Sequence, residues 1–120
     1  MTRTLVVKTT SGTDRPEAAN QAFTVAAAAV AAGADVSVWL TGEASWFALP
    51  GRAADLELDH ATPLTELLDL LLTDGRVTLC TQCAVRRGIT AQDVLPGVRI
   101  AGAAVFVEEV LAEGAQALVY

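Results

Sequence analysis

Basic residues are scarce in this chain: eight lysines and arginines stand against fourteen aspartates and glutamates, for a formal charge of −6 and a pI near 4.5. Neutralising a phosphate backbone takes a basic patch that releases counterions, so nucleic acid is not an expected partner. Histidine occurs once, at His60, and cysteine twice, at Cys80 and Cys83. A structural zinc site takes four such ligands and the chain offers three, so no metal is expected. Two cysteines are also too few for a disulfide framework, and they suit thiol chemistry in a reducing compartment. Long apolar runs are missing too. The alanine-rich stretch from Phe23 to Ala32 is half of the ~20 residues that a bilayer crossing requires, so no membrane span is expected. Met1 to Lys8 has three consecutive apolar residues before its lysine and no h-region, which makes the cytoplasm the expected location. Neither a G-x-x-x-x-G-K-[ST] loop nor a G-x-G-x-x-G fingerprint is present, and no cofactor is expected.

What is present is apolar residues: 52% of 120, far from the composition of a disordered chain. A chain of this length buries roughly two thirds of its unfolded surface around one core, so residues 1–120 are expected to form a single domain. Thr4 to Lys8 reads as a strand and Thr9 to Pro16 as a polar loop with proline in a first helical turn. Alanine dominates the helix expected over Glu17 to Ala32, which Gly33 ends. Asp35 to Thr41 alternates as a second strand, and a strand, helix and strand in this order favour a right-handed parallel pair. Glu43 to Thr62 is irregular and expected to be loop with a helical turn. Leucines at 64, 67, 68, 71 and 72 place a helix over Pro63 to Thr73. A strand over Arg76 to Leu79 then runs into Cys80 and a helix, followed by a strand over Val98 to Ala101, a helix over Ala103 to Glu113 and a strand over Ala115 to Tyr120. Val105, Phe106, Val110 and Leu111 form the apolar side of that last helix. The alternation predicts an α/β three-layer sandwich on a five-stranded, mostly parallel sheet.

Such sheets carry their ligands and reactive groups at the carboxyl ends of the strands, which here are the Thr9 to Asp14 loop, the Gly42 to Trp46 loop and Cys80. Cys80 is placed beside the first turn of a helix, where free N–H groups and the dipole favour a thiolate. It is the candidate nucleophile, with Cys83 as a second thiol one turn on. The competing reading of Cys80 is a buried small hydrophobe at a strand end. Arg86 and Arg87 lie two turns further and, screened by solvent, are expected to act on a substrate or partner rather than on the sulfur. Thr10, Ser11 and Gly12 either cradle an anion with hydroxyls and amides or simply cap the first helix. Trp46 and Phe47 are candidates for covering a ligand ring or a subunit contact. His60 reads as a solvated loop residue or a proton carrier, and Glu108, Glu109 and Glu113 as a solvated helix face.

Cys80 through Gly88, with its Arg86-Arg87-Gly88 ending, resembles the cysteine segment of the DsrE/TusD/YchN-like family of small sulfur-handling proteins. The resemblance extends to Gly12-Thr-Asp-Arg-Pro-Glu17, Ala32-Gly-Ala34, Leu40-Thr-Gly-Glu43 and Leu95-Pro-Gly-Val-Arg-Ile-Ala-Gly102. It implies a flavodoxin-like or YchN-like α/β fold, homo-oligomers such as trimers or hexamers, and in the relay members a persulfide on the cysteine at the position of Cys80. Those members carry small apolar residues where this chain has Gln82 and Cys83. Three functional readings follow: a sulfur carrier holding a persulfide on Cys80 and exchanging it with donor and acceptor proteins, an oligomeric module binding a small ligand or nucleotide without catalysis, and a Cys80/Cys83 dithiol redox switch.

Overall fold

The computed structural model describes residues Thr2 to Tyr120. Five strands, β1 (Thr4–Thr9), β2 (Asp35–Leu40), β3 (Arg76–Cys80), β4 (Val98–Ala101) and β5 (Ala115–Val119), form one sheet in the order β4-β3-β2-β1-β5. Every neighbouring pair is parallel. The helices are α1 (Pro16–Ala31), α2 (Leu64–Asp74), α3 (Thr81–Arg86) and α4 (Ala103–Leu111). The first three connections each step one strand further across the sheet. The last runs back from the β4 edge to the opposite edge, beside β1. Right-handed crossovers therefore place α1 to α3 on one face and α4 on the other.

The first face holds the main core. Helix α1 starts with Pro16 and buries Ala19, Ala22, Phe23, Ala26 and Ala27, a stripe whose small side chains let the helix lie close to the sheet. It ends in a Schellman motif: Ala34 N–H donates to the Ala29 carbonyl and Gly33 N–H to that of Val30, with Gly33 at φ +91°. Helix α2 buries Leu64, Leu67, Leu68 and Leu71, while Leu72 is half-buried. These side chains meet Val7, Val36, Val38, Leu40, Val77 and Leu79 from alternate positions of the three central strands. The segment expected as irregular loop contains two 3₁₀ turns, Gly42–Ala48 and Ala53–Asp55. The first seats Phe47 edge-on against Phe23, ring centroids 5.9 Å apart, so Phe47 is core and covers neither a ligand nor a subunit.

The second face is built differently. Register places Lys8 beside Trp39, Trp39 beside Thr78, and Thr78 beside Arg99, a polar and aromatic row across four strands. Helix α4 crosses this row with no fully buried residue. Phe106 packs edge-on against Trp39 at 5.3 Å, and Glu109 accepts hydrogen bonds from Ser37 Oγ (2.6 Å), Trp39 Nε1 (3.0 Å) and the Arg99 guanidinium. Glu109 is thus not part of a solvated face: its carboxylate satisfies two donors that the sheet would otherwise bury unpaired. Leu111, expected on the apolar side of α4, is 77% exposed, because with Phe106 and Glu109 turned to the sheet the helical period puts Leu111 on the far side of α4.

Candidate functional site

The carboxyl ends of β1, β2 and β3 lie at one edge, and those of β1 and β2 are tied by backbone approaches too close for side chains. Thr41 N–H and Oγ1 both donate to the Thr9 carbonyl, at 3.0 and 2.9 Å. Gly42 follows at φ +52°, and a Cβ there would stand 2.7 Å from the Thr10 carbonyl oxygen. A Cβ on Gly12 would stand 2.5 Å from the Glu43 carbonyl oxygen. Only glycine fits either place.

Cys80 ends β3 in extended geometry and is half-buried, with a free thiol. Cys83 lies in the first turn of α3 and is buried at 9% exposure, also free. The Gly42 N–H donates to Cys83 Sγ at 3.4 Å. Burial pushes the Cys83 thiol up, but the Gly42 amide, the Cys80 thiol, the Arg87 charge and the Ser45 hydroxyl together bring it below its ordinary value. Ser45 is fully buried, and its Oγ has no hydrogen-bond partner of ordinary geometry. The Cys83 sulfur is a neighbour of that hydroxyl, which contributes the smallest share of the downward shift.

Arg87 is close to this sulfur, contrary to the expectation from chain spacing. Helix α3 has six residues and ends in a second Schellman motif, with Ile89 N–H to the Ala84 carbonyl, Gly88 N–H to that of Val85, and Gly88 at φ +66°. Arg87, at the C-cap, folds back along the short helix. Its Nη1 donates to the Cys83 carbonyl at 3.2 Å, and its Nη2 pairs with Glu43 at 2.9 Å. Arg86 is exposed on the outer side of α3. Trp46 has two guanidiniums near its ring, Arg52 at 4.7 Å and Arg87 at 6.0 Å from the centroid. Beyond it opens a cleft of about 430 Å³ lined by Trp46, Leu49, Arg52, Arg87, Ile89 and Asp93.

The Thr9 to Thr13 loop turns its donors inward. Thr10 Oγ1 donates to the Tyr120 carbonyl at 2.8 Å, the Gly12 N–H to Asp14 Oδ1 at 2.8 Å, and Ser11 is buried. His60 is exposed in a left-handed turn at φ +60°. The structure therefore gathers Cys80, Cys83, Arg87 and Trp46 and leaves Arg86 outside. The Gly42 amide, Ser45 and Glu43 do not stand out in the sequence. The signal for them is Gly42, two residues past β2, which the sequence places in a strand-end loop without marking its amide.

Among curated proteins none matches the chain by sequence. Two solved structures share its fold over the full length of both chains. One is the crystal structure of the ychN protein from E. coli (TM-score 0.80, 20% identity), and the other a protein of unknown function, MTH1491 from Methanobacterium thermoautotrophicum (TM-score 0.70, 14% identity). A family model matches residues 4–119, and the chain belongs to the DsrE/DsrF-like family.

Proposed function

We propose that this protein is a small sulfur carrier that takes sulfane sulfur from a donor onto Cys80 and yields it to an acceptor thiol. The observation that carries this reading is a free, half-buried thiol at the carboxyl edge of a parallel sheet with a second free thiol behind it. In loading, the Cys80 thiolate attacks the outer sulfur of a donor persulfide. A new S–S bond forms, the donor's S–S bond breaks, and the donor leaves as a thiolate. In unloading, the acceptor thiolate attacks the outer sulfur of the Cys80 persulfide, and Cys80 leaves as the thiolate. Arg86, exposed beside the site, would steer an acidic protein partner, and such exchange belongs in a reducing, cytoplasmic setting. Self-association into a trimer or hexamer fits the apolar side chains left open on the α4 and β5 side, among them Val107, Leu111, Leu118 and Val119. Incubation with inorganic polysulfide followed by intact mass measurement tests the reading. A gain of about 32 Da, one sulfur atom, that Cys80→Ser abolishes is the expected result. Absence of that adduct from the wild-type chain, with no hydrosulfide released either, overturns it.

The ligand-binding reading draws on the Trp46 cleft alone, which carries aromatic and cationic side chains. A chromophore or nucleotide absorbance co-purifying with the protein, and lost in Trp46→Ala, is the result that would favour it.

A further inference from the structure

The two sulfurs of the site are unequally equipped, and the difference assigns them different work. Cys80 is partly open to solvent. Cys83 is enclosed, and around its sulfur stand the Gly42 amide at 3.4 Å, the otherwise unpartnered Ser45 hydroxyl, and Arg87, anchored on the Cys83 carbonyl and on Glu43. These groups favour a sulfur anion at a place that a donor protein cannot reach and that Cys80 can.

Resting on the reading of Cys80 as the sulfur carrier, we infer that Cys83 is an internal resolving thiolate that discharges the Cys80 persulfide as hydrosulfide when no acceptor is docked. The Cys83 thiolate attacks Cys80 Sγ, the inner sulfur of the persulfide. The Cys80–Cys83 bond forms, the bond from Cys80 to the outer sulfur breaks, and that sulfur departs as HS⁻ with the electron pair. Charge and atoms balance: one thiolate is consumed and one hydrosulfide released. Attack on the outer sulfur would only move the persulfide onto Cys83 and free no hydrosulfide, so discharge runs through the inner sulfur. An extended Cys80 before the helix and Cys83 in its first turn form the C-x-x-C placement in which dithiol proteins close and open such a bond. The disulfide is then reduced by an external dithiol, which returns both thiols. The chain thereby sets a limit on how long an undelivered persulfide survives.

The test uses the full chain loaded with inorganic polysulfide, freed of excess reagent, and followed by a hydrosulfide probe and intact mass. Expected for wild type is release of about one hydrosulfide per chain, with a final mass about 2 Da below the reduced protein. Cys83→Ser and Cys83→Ala retain the adduct of about 32 Da and release at least about tenfold more slowly. A wild-type adduct as long-lived as that of Cys83→Ala, or equal hydrosulfide release from the two, overturns the inference and leaves the carrier reading intact. No adduct on wild type and no released hydrosulfide overturns both. Should neither variant fold, peptide mapping of the discharged wild type decides: a Cys80–Cys83 disulfide supports the inference, and two free thiols or a retained persulfide overturns it.

Discussion

Replacing Gly42 by alanine strikes the backbone on which the Cys83 sulfur rests. The residue stands at φ +52°, where a side chain costs about 1–2 kcal/mol, and its new Cβ would meet the Thr10 carbonyl oxygen at 2.7 Å. Neither group is a flexible side chain end, so the strand-end loops separate by several tenths of an ångström. That moves the Gly42 amide away from Cys83 Sγ, already at 3.4 Å. The total cost is about 2–4 kcal/mol. Gly33→Ala is the internal control, since Gly33 has a positive φ but no atom within 4 Å of the position its Cβ would take, and it costs about 1 kcal/mol. With a urea m-value of about 1.5 kcal/mol per molar, the Gly42→Ala midpoint falls by roughly 2 M and the Gly33→Ala midpoint by less than about 1 M. Thiol alkylation against pH adds the chemical readout: Cys83 in Gly42→Ala titrates higher than in wild type, and in Gly33→Ala it is unchanged. Equal midpoints for the two variants, or an unmoved Cys83 profile in Gly42→Ala, refutes the close-approach reasoning.

Arg87→Met removes the cation beside Cys83 and its pair with Glu43, so Cys83 alkylates more slowly near neutral pH, while the partly exposed ion pair accounts for no more than about 1 kcal/mol of urea stability. Glu109→Gln weakens the clasp on Ser37, Trp39 and Arg99 and costs about 1–3 kcal/mol in urea at neutral pH. Burial pushes the Glu109 carboxyl up, but Ser37, Arg99 and Trp39 hold it below the usual carboxylate range. Its contribution is therefore fully present above the unfolded value of about 4.3 and is lost as pH falls through the lower folded value. Urea midpoints measured downward from pH 6 should fall less steeply in Glu109→Gln than in wild type. Phe23→Ala, emptying a fully buried ring site against Phe47, costs about 3–5 kcal/mol in the same assay. Leu111→Lys leaves monomer stability within about 0.5 kcal/mol and, if the α4 side is the self-association surface, lowers the mass observed by light scattering.

The layers of this fold are legible in the sequence wherever one face of an element is apolar. The leucines of α2 and the small residues of α1 repeat at helical spacing, and the valines of β2 alternate, because a single core on one side of the sheet selects them. Legibility fails where polar groups pair across the chain. Glu109 reads as a surface charge by its neighbours Glu108 and Glu113, and only the crossover that lays α4 over β2 brings Ser37 and Trp39 to it, some seventy positions away. Arg87 is misplaced by sequence spacing for a related reason. Distance along the chain overstates its separation from Cys83, because Gly88 stops α3 after six residues and lets the side chain return. The Cys80-to-Gly88 segment is readable as a unit, but the group that supports Cys83 most directly is an amide of another loop, and an amide has no signature in sequence.

A thiolate buried in an apolar core is unfavourable, so the reactivity of Cys83 depends on how firmly its donors are held. Side chains alone would not hold them: a serine hydroxyl rotates, and an arginine on a protein edge moves with its solvent. Here the Gly42 amide is fixed by the approach to Thr10, Glu43 is placed by its approach to Gly12, and Arg87 is tethered at both ends, to the Cys83 carbonyl and to Glu43. The same backbone contacts tie the ends of β1 and β2 together. Stability of the sheet edge and acidity of the Cys83 thiol therefore rise and fall together. A series of substitutions at Gly12, Gly42 and Glu43 should trace one line between urea midpoint and Cys83 alkylation midpoint, and a variant that loosens the edge while leaving the Cys83 profile unmoved would break that coupling.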